Sequence, residues 1–322
     1  MKAAFQKEYG GSDVLTVGVL PQPPIGKAQV LVQVFASSIN PRDWLIRAGK
    51  YQLQFMVPKF PLILGSDLAG IVVEVGPAVT QFKPGDRVMG MKNPGAGLGC
   101  HAELVAVNAS ALALIPDNLP FDQAGGLPLC ALTAWQALVG NAKIKPGDSL
   151  LVIGASGSVG SFAVQIGTAL GAAVSAVCSE SNRELATSLG ARQVIDYKKE
   201  DFKKMPAQYD IVFDTIGRES LRQCAAILKP GGVYVSTVPK PANLIDAAVS
   251  TFKHVIAKSA RRAAVVMVKP DGAALQQIAK LVQANKIRTV IDTVYPLSEV
   301  KQAHDLSRSL RAKGKIILKI HD

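Results

Sequence analysis

The chain has 322 residues and a formal net charge of +12; 48% of its residues are hydrophobic and 19% are charged. This balance is typical of a globular protein and excludes a disordered or collagen-like chain. At about 150 residues per domain, the length predicts two domains. The excess of positive charge predicts an anionic partner, namely a nucleotide, a nucleic acid or a membrane surface.

Residues 1–123 are predicted to form a barrel-like β domain. Their apolar segments are short and are separated by Pro and Gly, as in Pro84-Gly85-Asp86, and this pattern favours strands joined by turns. The predicted strands are Gln29–Phe35, Gly70–Val75, Arg87–Gly90 and Ala102–Val107. The segment Met91–Gly99 contains three glycines and no periodicity, which predicts a mobile loop over a ligand cleft.

The stretch from Leu150 to Gly160 reads as a buried strand, a glycine turn and the start of a helix near Ser158. This geometry binds a dinucleotide pyrophosphate, because free N–H groups and the positive end of the helix meet the phosphates. Gly157 is predicted to let the backbone approach the phosphates, and Gly160 to let the helix pack on the sheet. Ala155 stands where the first glycine of G-x-G-x-x-G would be.

Strands and helices alternate after this turn, which predicts a parallel, doubly wound sheet. The further predicted strands are Ala173–Val177, Gln193–Asp196, Tyr209–Asp214 and Gly232–Thr237, with a helix at Asn182–Leu189. The alternative is a packing glycine turn in an unrelated α/β domain.

The residues that follow the second predicted strand of this sheet indicate whether the cofactor is NADPH or NAD. Ser179 stands at the tip and Arg183 one helical turn further on, and a hydroxyl with a guanidinium suits the 2′-phosphate of NADPH. In the alternative, Glu180 binds the ribose of NAD and Arg183 is a solvated helix residue.

The segment 252–263 is predicted to be a basic amphipathic helix. Phe252, Val255 and Ile256 share one face with Ser259 and Ala263, while Lys and Arg residues occupy the other. Such a helix suits an anionic lipid surface, although a surface helix packed on the core is the more common case.

The C-terminal segment is predicted to return to the N-terminal domain. Helices are predicted at Asp271–Ala284 and Ser298–Leu310, and strands at Thr289–Tyr295 and Lys315–Ile320. The predicted domains are therefore a discontinuous one, 1–123 with 271–322, and a nucleotide-binding one, 124–270. Substrate is expected in a cleft between them.

The protein is expected to be soluble and cytoplasmic. Lys7 and Glu8 leave no room for a signal peptide in the first ten residues. The uncharged stretch Ser149–Ser179 is long enough to cross a membrane, but its glycines indicate a buried parallel strand instead. Cys100, Cys130, Cys178 and Cys224 show no C-x-x-C spacing, which fits a reducing compartment, and the dispersed histidines predict no local zinc site.

These motifs together resemble the medium-chain dehydrogenase/reductase superfamily, in its zinc-free quinone oxidoreductase branch that includes zeta-crystallin and the alkenal reductases. The resemblance covers essentially the whole chain and implies a GroES-like β-barrel catalytic domain beside a Rossmann domain. The matching segments are Ser37–Asp43, Pro61–Asp67, Gly70–Gly76, Lys83–Val88, Leu132–Trp135, Lys145–Asp148 and Phe213–Gly217.

The departures from the zinc-dependent relatives point to the chemistry. Those relatives have cysteine at the position of Asn40 and a His-Glu pair at Ser66 and Asp67, so the resemblance predicts no metal here. Without a Lewis acid, oxidation of an alcohol is disfavoured. The resemblance implies NADPH-dependent reduction of quinones or α,β-unsaturated carbonyl compounds, by a homodimer; alternatives are an enoyl-thioester reductase, or an NADPH-binding module with a membrane-surface or nucleic-acid role.

The resemblance also implies the site residues. The pyrophosphate is expected at Ser156, Gly157, Ser158 and Val159, the 2′-phosphate at Ser179 and Arg183, and the adenine beside Tyr197. Asn40 and Thr133 are expected at the nicotinamide, Ile216 beneath its ring, and Lys315 near the diphosphate. Asn40 could instead be a turn former and Thr133 a helix N-cap.

No proton donor is singled out by the sequence. Tyr51 matches a tyrosine that lines the substrate cleft of relatives, and its phenol could donate a proton; the alternative is a wall residue with water as the donor. His101, where relatives have tyrosine, is predicted to be structural, with the possibility of titration near neutral pH.

Overall fold

The structure, a computed structural model, describes residues 1–57, 59–93, 99–257 and 260–321, with only the backbone at 241–242 and 251–256. Its strands are β1 (Lys2–Gln6), β2 (Thr16–Val19), β3 (Gln29–Ile39), β4 (Leu62–Ile63), β5 (Asp67–Val75), β6 (Arg87–Met91), β7 (Leu104–Asn108), β8 (Leu112–Leu114), β9 (Ser149–Ile153), β10 (Ala173–Cys178), β11 (Gln193–Asp196), β12 (Tyr209–Asp214), β13 (Leu228–Ser236), β14 (Arg262–Val265), β15 (Ile291–Pro296) and β16 (Lys315–Lys319).

Nine α-helices are described, together with a π-helical turn at Gln136–Ala142. They are α1 (Pro41–Arg47), α2 (Phe121–Gly125), α3 (Pro128–Trp135), α4 (Ser158–Ala169), α5 (Arg183–Ser188), α6 (Leu221–Cys224), α7 (Pro241–Ile256), α8 (Gly272–Gln283) and α9 (Val300–Arg308). Within the described parts of the chain, no helix is both long and apolar enough to cross a membrane.

The chain forms two compact units. The first comprises Met1–Leu129 and Lys269–Asp322, and the second comprises Cys130–Val268. In the first unit, a seven-stranded sheet has the order β15-β16-β3-β5-β6-β8, with β7 also paired to β3, and a three-stranded sheet has the order β2-β1-β4. Its core contains buried Val32, Val34, Leu68 and Val88.

The C-terminal segment does return to the N-terminal part of the chain. Strand β16 pairs antiparallel with β3, with Ile317 opposite Ser38, and β15 pairs parallel with β16. This pairing also explains why β3 continues to Ile39 rather than ending at Phe35 as predicted. Residues 36–39 gain hydrogen-bonding partners from β16, which local sequence cannot reveal.

The second unit is a six-stranded, wholly parallel sheet in the order β11-β10-β9-β12-β13-β14. Strand β9 lies inside it, with Val152 between Ala176 of β10 and Phe213 of β12. Leu150, Leu151 and Val152 are fully buried, as expected for a parallel strand covered on both faces. The prediction of a doubly wound parallel sheet is confirmed.

The predicted basic helix 252–263 is wrong in its second half. Helix α7 ends at Ile256, and Arg262–Val265 is the edge strand β14, which pairs with β13. Arg262 donates to the carbonyl of Asn141 at 2.6 Å, and Ala263 is buried. Pairing with β13 therefore overrides the helical periodicity of the sequence. Lys258 and Ser259, and the side chains of residues 252–256, lie outside the described part of the structure.

We predict that Gly160→Ala destabilises the second unit. A Cβ at Gly160 would lie 2.1 Å from the carbonyl oxygen of Gly154, so α4 must move away from β9, at a cost of about 1–3 kcal/mol. Urea unfolding followed by circular dichroism measures the loss.

Gly157→Ala is the matched control for that experiment. Its Cβ would lie 3.4 Å from the same oxygen, at an ordinary φ of −77°, so the loss should stay below about 1 kcal/mol, the usual cost of the poorer N-cap alanine. Equal stability of the two variants would contradict the close packing of α4 on the turn.

Candidate active site

The glycine turn of the second unit has the geometry of a phosphate-binding loop. Gly154 follows β9 at φ +80°, a left-handed conformation that favours glycine, and its N–H bonds to the carbonyl of Val177 at 3.0 Å. Helix α4 begins at Ser158, with Gly157 as its N-cap. Since no atom of the described residues comes closer than 3.4 Å to a Cβ at Gly157, packing within the described part of the chain does not require glycine there. Close approach of a phosphate group to the backbone is the other reason for glycine at such a turn.

The tip of β10 is joined to this turn by hydrogen bonds. Asn182 donates from Nδ2 to Ser156 Oγ at 3.0 Å and to Ser179 Oγ at 3.2 Å, and the hydroxyls of Ser179 and Ser181 lie 3.0 Å apart. Asn182 was not among the predicted site residues, although its position just after the strand tip was an available signal. Ser156 and Ser179, both predicted ligand residues, are therefore brought together.

Arg183 is held by Glu180 in this structure. Its Nε donates to Glu180 Oε1 at 2.5 Å and its Nη2 to Oε2 at 3.1 Å, while Lys199 Nζ lies 3.3 Å from Oε2. The bond from Arg183, and secondarily that from Lys199, lower the pKa of Glu180 to about 2. The predicted 2′-phosphate residue thus already binds an anion. Tyr197, predicted at the adenine, is exposed just after β11.

The turn after β12 presents Ile216 on a rigid support. The buried Asp214 carboxylate accepts from the N–H groups of Ile216 (2.9 Å), Gly217 (2.8 Å) and Glu219 (2.9 Å). It also accepts from the Tyr234 hydroxyl at 3.0 Å. Ile216 is nevertheless 48% exposed. Such an apolar side chain, exposed on a turn that is held in place, suits the face of a planar ring. The supporting role of Asp214 was not predicted; its position at the end of a buried strand was the available signal.

Thr133, also predicted at the nicotinamide, is a buried residue inside α3. The alternative interpretation of Thr133 as a helix N-cap is therefore wrong. Asn40, by contrast, is the N-cap residue of α1, and its N–H donates to Asp43 Oδ2 at 2.7 Å.

A buried polar cluster lies in the first unit, around Asn40, Asp67 and Lys315. Lys315 Nζ donates to Asn40 Oδ1 at 2.7 Å and lies 3.4 Å from Asp67 Oδ2; its side chain is 1% exposed and that of Asp67 0%. Asn40 Nδ2 donates to Asp67 Oδ2 at 2.9 Å, and the N–H of Leu129 donates to Asp67 Oδ1 at 2.6 Å. The structure thus joins two predicted site residues, Asn40 and Lys315, directly, and Asp67, which was not predicted as a site residue, contacts both.

A second cation, Arg42, lies beside this cluster. Arg42 donates from Nε to Ser66 Oγ at 2.5 Å and from Nη2 to the carbonyl of Lys92 at 2.9 Å. The neighbouring Asp43 is buried, and burial raises its pKa above the usual value. Lys92 is buried too, with its Nζ on the carbonyl of Ala106 at 2.8 Å, and burial lowers its pKa.

Two buried histidines lie close to each other, and one of them, His101, is near Asp43. His101 and His304 are fully buried with their ring centroids 5.9 Å apart. Burial lowers the pKa of both, His304 well below 6.5, so the suggested titration of His101 near neutral pH is not supported. Tyr51 is half-buried against the apolar cluster that includes Ile46 and Leu62.

The comparisons with known proteins agree with both units. Two family models match: the alcohol dehydrogenase GroES-like domain over residues 26–117 and zinc-binding dehydrogenase over residues 189–318. A chloroplastic NADPH-dependent alkenal/one oxidoreductase from Arabidopsis thaliana is 34% identical over 330 residues, covering 99% of this chain and 79% of the relative.

Two solved structures resemble the chain over its length. The quinone oxidoreductase from Coxiella burnetii has a TM-score of 0.89 and 32% identity, covering 100% of this chain and 99% of its own. The Escherichia coli quinone oxidoreductase, solved with NADPH, has a TM-score of 0.82 and 26% identity, covering 99% and 100%.

The fold and the two sites define a two-domain oxidoreductase with a dinucleotide-type sheet and a GroES-like domain. The chain belongs to the medium-chain dehydrogenase/reductase family, in the branch of the quinone oxidoreductases and alkenal reductases. The predicted fold class and family are thereby confirmed.

The name of one matching family implies zinc, but the residues at the corresponding place do not fit it. Asn40 and Asp67 bond to each other and to the ammonium of Lys315, and Ser66 accepts from Arg42. Two cations at this place would repel Zn²⁺ rather than bind it. In the ranges that the structure describes, no three His, Cys, Asp or Glu residues are grouped as a metal site.

We predict that the protein loses stability as the pH falls below 6.5. Because burial holds the pKa of His304 below 6.5 in the folded state, the unfolded state binds a proton first, so stability is complete above 6.5 and declines below it. The decline should reach about 1.4 kcal/mol for each pH unit below 6.5. Urea unfolding at about pH 7.5 and pH 5.5 measures it.

His304→Phe, which keeps an apolar ring, should reduce this pH dependence, and His101, whose pKa burial also lowers, should account for what remains. The control His321→Gln changes an exposed histidine and should leave the dependence intact. An unchanged dependence in His304→Phe would show that His304 is not the responsible group.

Proposed function

We propose that this chain is an NADPH-dependent oxidoreductase that reduces quinones or α,β-unsaturated carbonyl compounds by hydride transfer. The observation that carries the proposal is its likeness, over 99% of its length, to a relative named for NADPH-dependent alkenal and enone chemistry. The glycine turn supports it, because packing within the described residues does not require glycine at position 157, whereas close approach of a phosphate group would. Bound NADPH supplies a hydride from its nicotinamide ring.

The residues of the second unit would bind the cofactor. Helix α4 begins directly at the turn formed by Ser156, Gly157, Ser158 and Val159, so its first N–H groups suit the pyrophosphate. Ser179 and Arg183 would bind the 2′-phosphate, with the phosphate replacing the carboxylate of Glu180. Tyr197 would flank the adenine, and Ile216 would support the nicotinamide ring from below.

Residues of both units would orient the reacting groups. Asn40 of the first unit and Thr133 of the second would contact the nicotinamide. The Asn40 amide is held by both of its polar atoms, with Nδ2 on Asp67 and Oδ1 on Lys315, so its orientation is set before any ligand binds. Because Lys315 is buried in its contact with Asn40, we assign to Lys315 the role of positioning Asn40. We prefer this role to the predicted one near the diphosphate. Tyr51 would line the acceptor site and supply a proton to the reduced product, or leave this to water.

A screen of NADPH oxidation against quinones, enals, enones and enoyl-thioesters tests the proposed function. Turnover with a quinone, enal or enone supports it. Turnover restricted to acyl-thioesters would assign the chain to enoyl-thioester reduction instead, and NADPH binding without any turnover would leave only a binding module. Three further expectations stay predictions: a homodimer, a cytoplasmic location and a membrane contact of the segment around α7. Gel filtration tests the homodimer, and binding to vesicles tests the membrane contact.

We predict that Arg183→Ala weakens NADPH binding by about 10–100-fold and changes NADH binding much less, since one charge-assisted contact to the phosphate is lost. Fluorescence titration with both cofactors measures this. The control is Arg192→Ala, an exposed arginine just before β11, at the opposite end of the strand from Tyr197. Equal losses for NADPH and NADH would refute the assignment of the 2′-phosphate.

We predict that chelators leave the activity unchanged and that elemental analysis finds no stoichiometric zinc. The reason is that the side chains at the place of the metal ligands already bind cations of the protein itself: Asn40 and Asp67 contact Lys315, and Ser66 accepts a hydrogen bond from Arg42. One zinc per chain, lost together with activity, would contradict this.

A further inference from the structure

Arg42 is a guanidinium with two fixed nitrogens and no salt bridge among the described residues, although its charge does act on the neighbouring carboxyl of Asp43, whose pKa it lowers against the larger raising effect of burial. Two of its nitrogens are oriented, Nε by Ser66 and Nη2 by the carbonyl of Lys92, and both acceptors are neutral. Among the residues that the structure describes, Arg42 makes no ion pair, although five other pairs are present. A cation that is partly buried and unpaired carries a free-energy cost that an anionic or partly anionic ligand would remove.

The third nitrogen of Arg42 is available for such a ligand. Nη1 donates to no described residue, and it is not among the fully buried polar atoms that lack a partner. Nη1 therefore keeps some exposure to solvent, and its two N–H groups are not used by any described residue. Because the other two nitrogens are bonded, the direction of these groups is set in advance, which is what distinguishes an oxyanion-binding donor from a mobile surface arginine.

The surroundings of Arg42 connect it to the proposed reaction. Arg42 and Asn40 lie two residues apart at the start of α1, and Ser66, its acceptor, precedes Asp67, which binds Asn40. The side chain proposed to orient the nicotinamide and the guanidinium of Arg42 are thus neighbours along the chain, and each is bonded to one of the adjacent residues Ser66 and Asp67.

We propose that Arg42 is a catalytic residue that binds the carbonyl oxygen of the acceptor through Nη1. This inference rests on the proposed function and specifies its substrate class: an acceptor whose hydride-accepting carbon is conjugated to a carbonyl group. In this site a guanidinium does the electrostatic work that a metal ion does in zinc-dependent enzymes.

The reaction step balances without any further reactant. Hydride adds to the β-carbon of the enone, the C=C electron pair moves to form an enolate, and the negative charge that develops on oxygen is held by Arg42. A proton from water or Tyr51 then adds to the α-carbon. The products are the saturated ketone and NADP⁺. In a quinone, hydride and proton give the hydroquinone.

The first test compares two pairs of variants. Arg42→Met and Arg42→Lys should lower kcat for an enone by about 10²–10³-fold, the usual loss when one oxyanion donor is removed, while the Kd for NADPH stays within about threefold. Arg87→Met and Arg87→Lys are the matched controls. Arg87 is also partly buried and donates to a backbone carbonyl, that of Leu119 at 2.8 Å, but it lies outside the cluster, so kcat should be retained.

Chemical rescue separates a catalytic from a structural role. Added guanidinium ion, at concentrations far below those that denature, should restore part of the activity of Arg42→Ala and none of that of Arg87→Ala. Thermal unfolding of each variant shows whether it is folded. A folded Arg42→Ala that is inactive and not rescued by guanidinium would overturn the proposal.

A binding measurement gives a readout independent of turnover. The probe is 4-nitrophenol in the presence of NADP⁺, since its phenolate resembles the developing oxyanion and absorbs in the visible range. The parent protein should bind the phenolate at least about tenfold more tightly than the phenol, and Arg42→Met should lose this preference.

The outcomes for the two proposals are distinct. If the parent protein turns over none of the conjugated acceptors, the proposed function fails. If it turns them over and the Arg42 variants keep the parent kcat and phenolate preference, the function stands and the role of Arg42 is refuted.

Discussion

The buried ion pair of Lys315 with Asp67 is the interaction on which the first unit's site depends. It joins strands β16 and β5, which lie 248 residues apart in sequence, and both side chains are withdrawn from water. Two charges in such a place are tolerated only when their remaining hydrogen-bonding capacity is used. Asn40, Ser38 and the N–H of Leu129 supply that capacity, and in doing so the pair fixes the orientation of Asn40.

The second unit also contains a buried carboxylate that orients neighbouring residues, at the end of β12. The carboxylate of Asp214 is buried and accepts four hydrogen bonds, three from the backbone of the following turn. Ile216 is thereby exposed without being free to move. A Cβ at Gly154 would lie 2.6 Å from Ile216 Cγ1, so the phosphate-type turn and the Ile216 turn are packed on each other and behave as one rigid surface.

The positive charges in and beside the polar cluster of the first unit suit a reductase whose substrates carry a conjugated carbonyl group. At the place where zinc-dependent relatives carry a metal, this chain has an ammonium bonded to a carboxylate and, next to it, the guanidinium of Arg42, which makes no salt bridge among the described residues. A fixed cation stabilises charge that develops on an oxygen, but it does not bind and deprotonate an alcohol as a metal does. This arrangement of charge agrees with the proposed reduction of a conjugated carbonyl compound.

The sequence alone predicted the elements whose signal is local. Strands β11 and β12 have the predicted limits, and α4 begins at Ser158 as expected, because buried parallel strands and glycine turns have strong patterns over a few residues. Asn40 and Lys315 were predicted as site residues from the family resemblance and not from such local patterns, and their roles stay predictions. The predictions failed where distant partners decide the structure: β14 forms because β13 offers an edge, and β3 extends because β16 pairs with it.

The sequence by itself thus determined the α/β class, the nucleotide turn, the return of the C-terminal strand and the family. Only the tertiary structure decided which polar groups meet: Arg183 with Glu180, Asn40 with Asp67 and Lys315, and Arg42 with Ser66. The physical reason is that hydrogen bonds and ion pairs depend on distances of about 3 Å between side chains. For residues far apart in the chain, those distances are set by strand pairing and packing and not by local sequence.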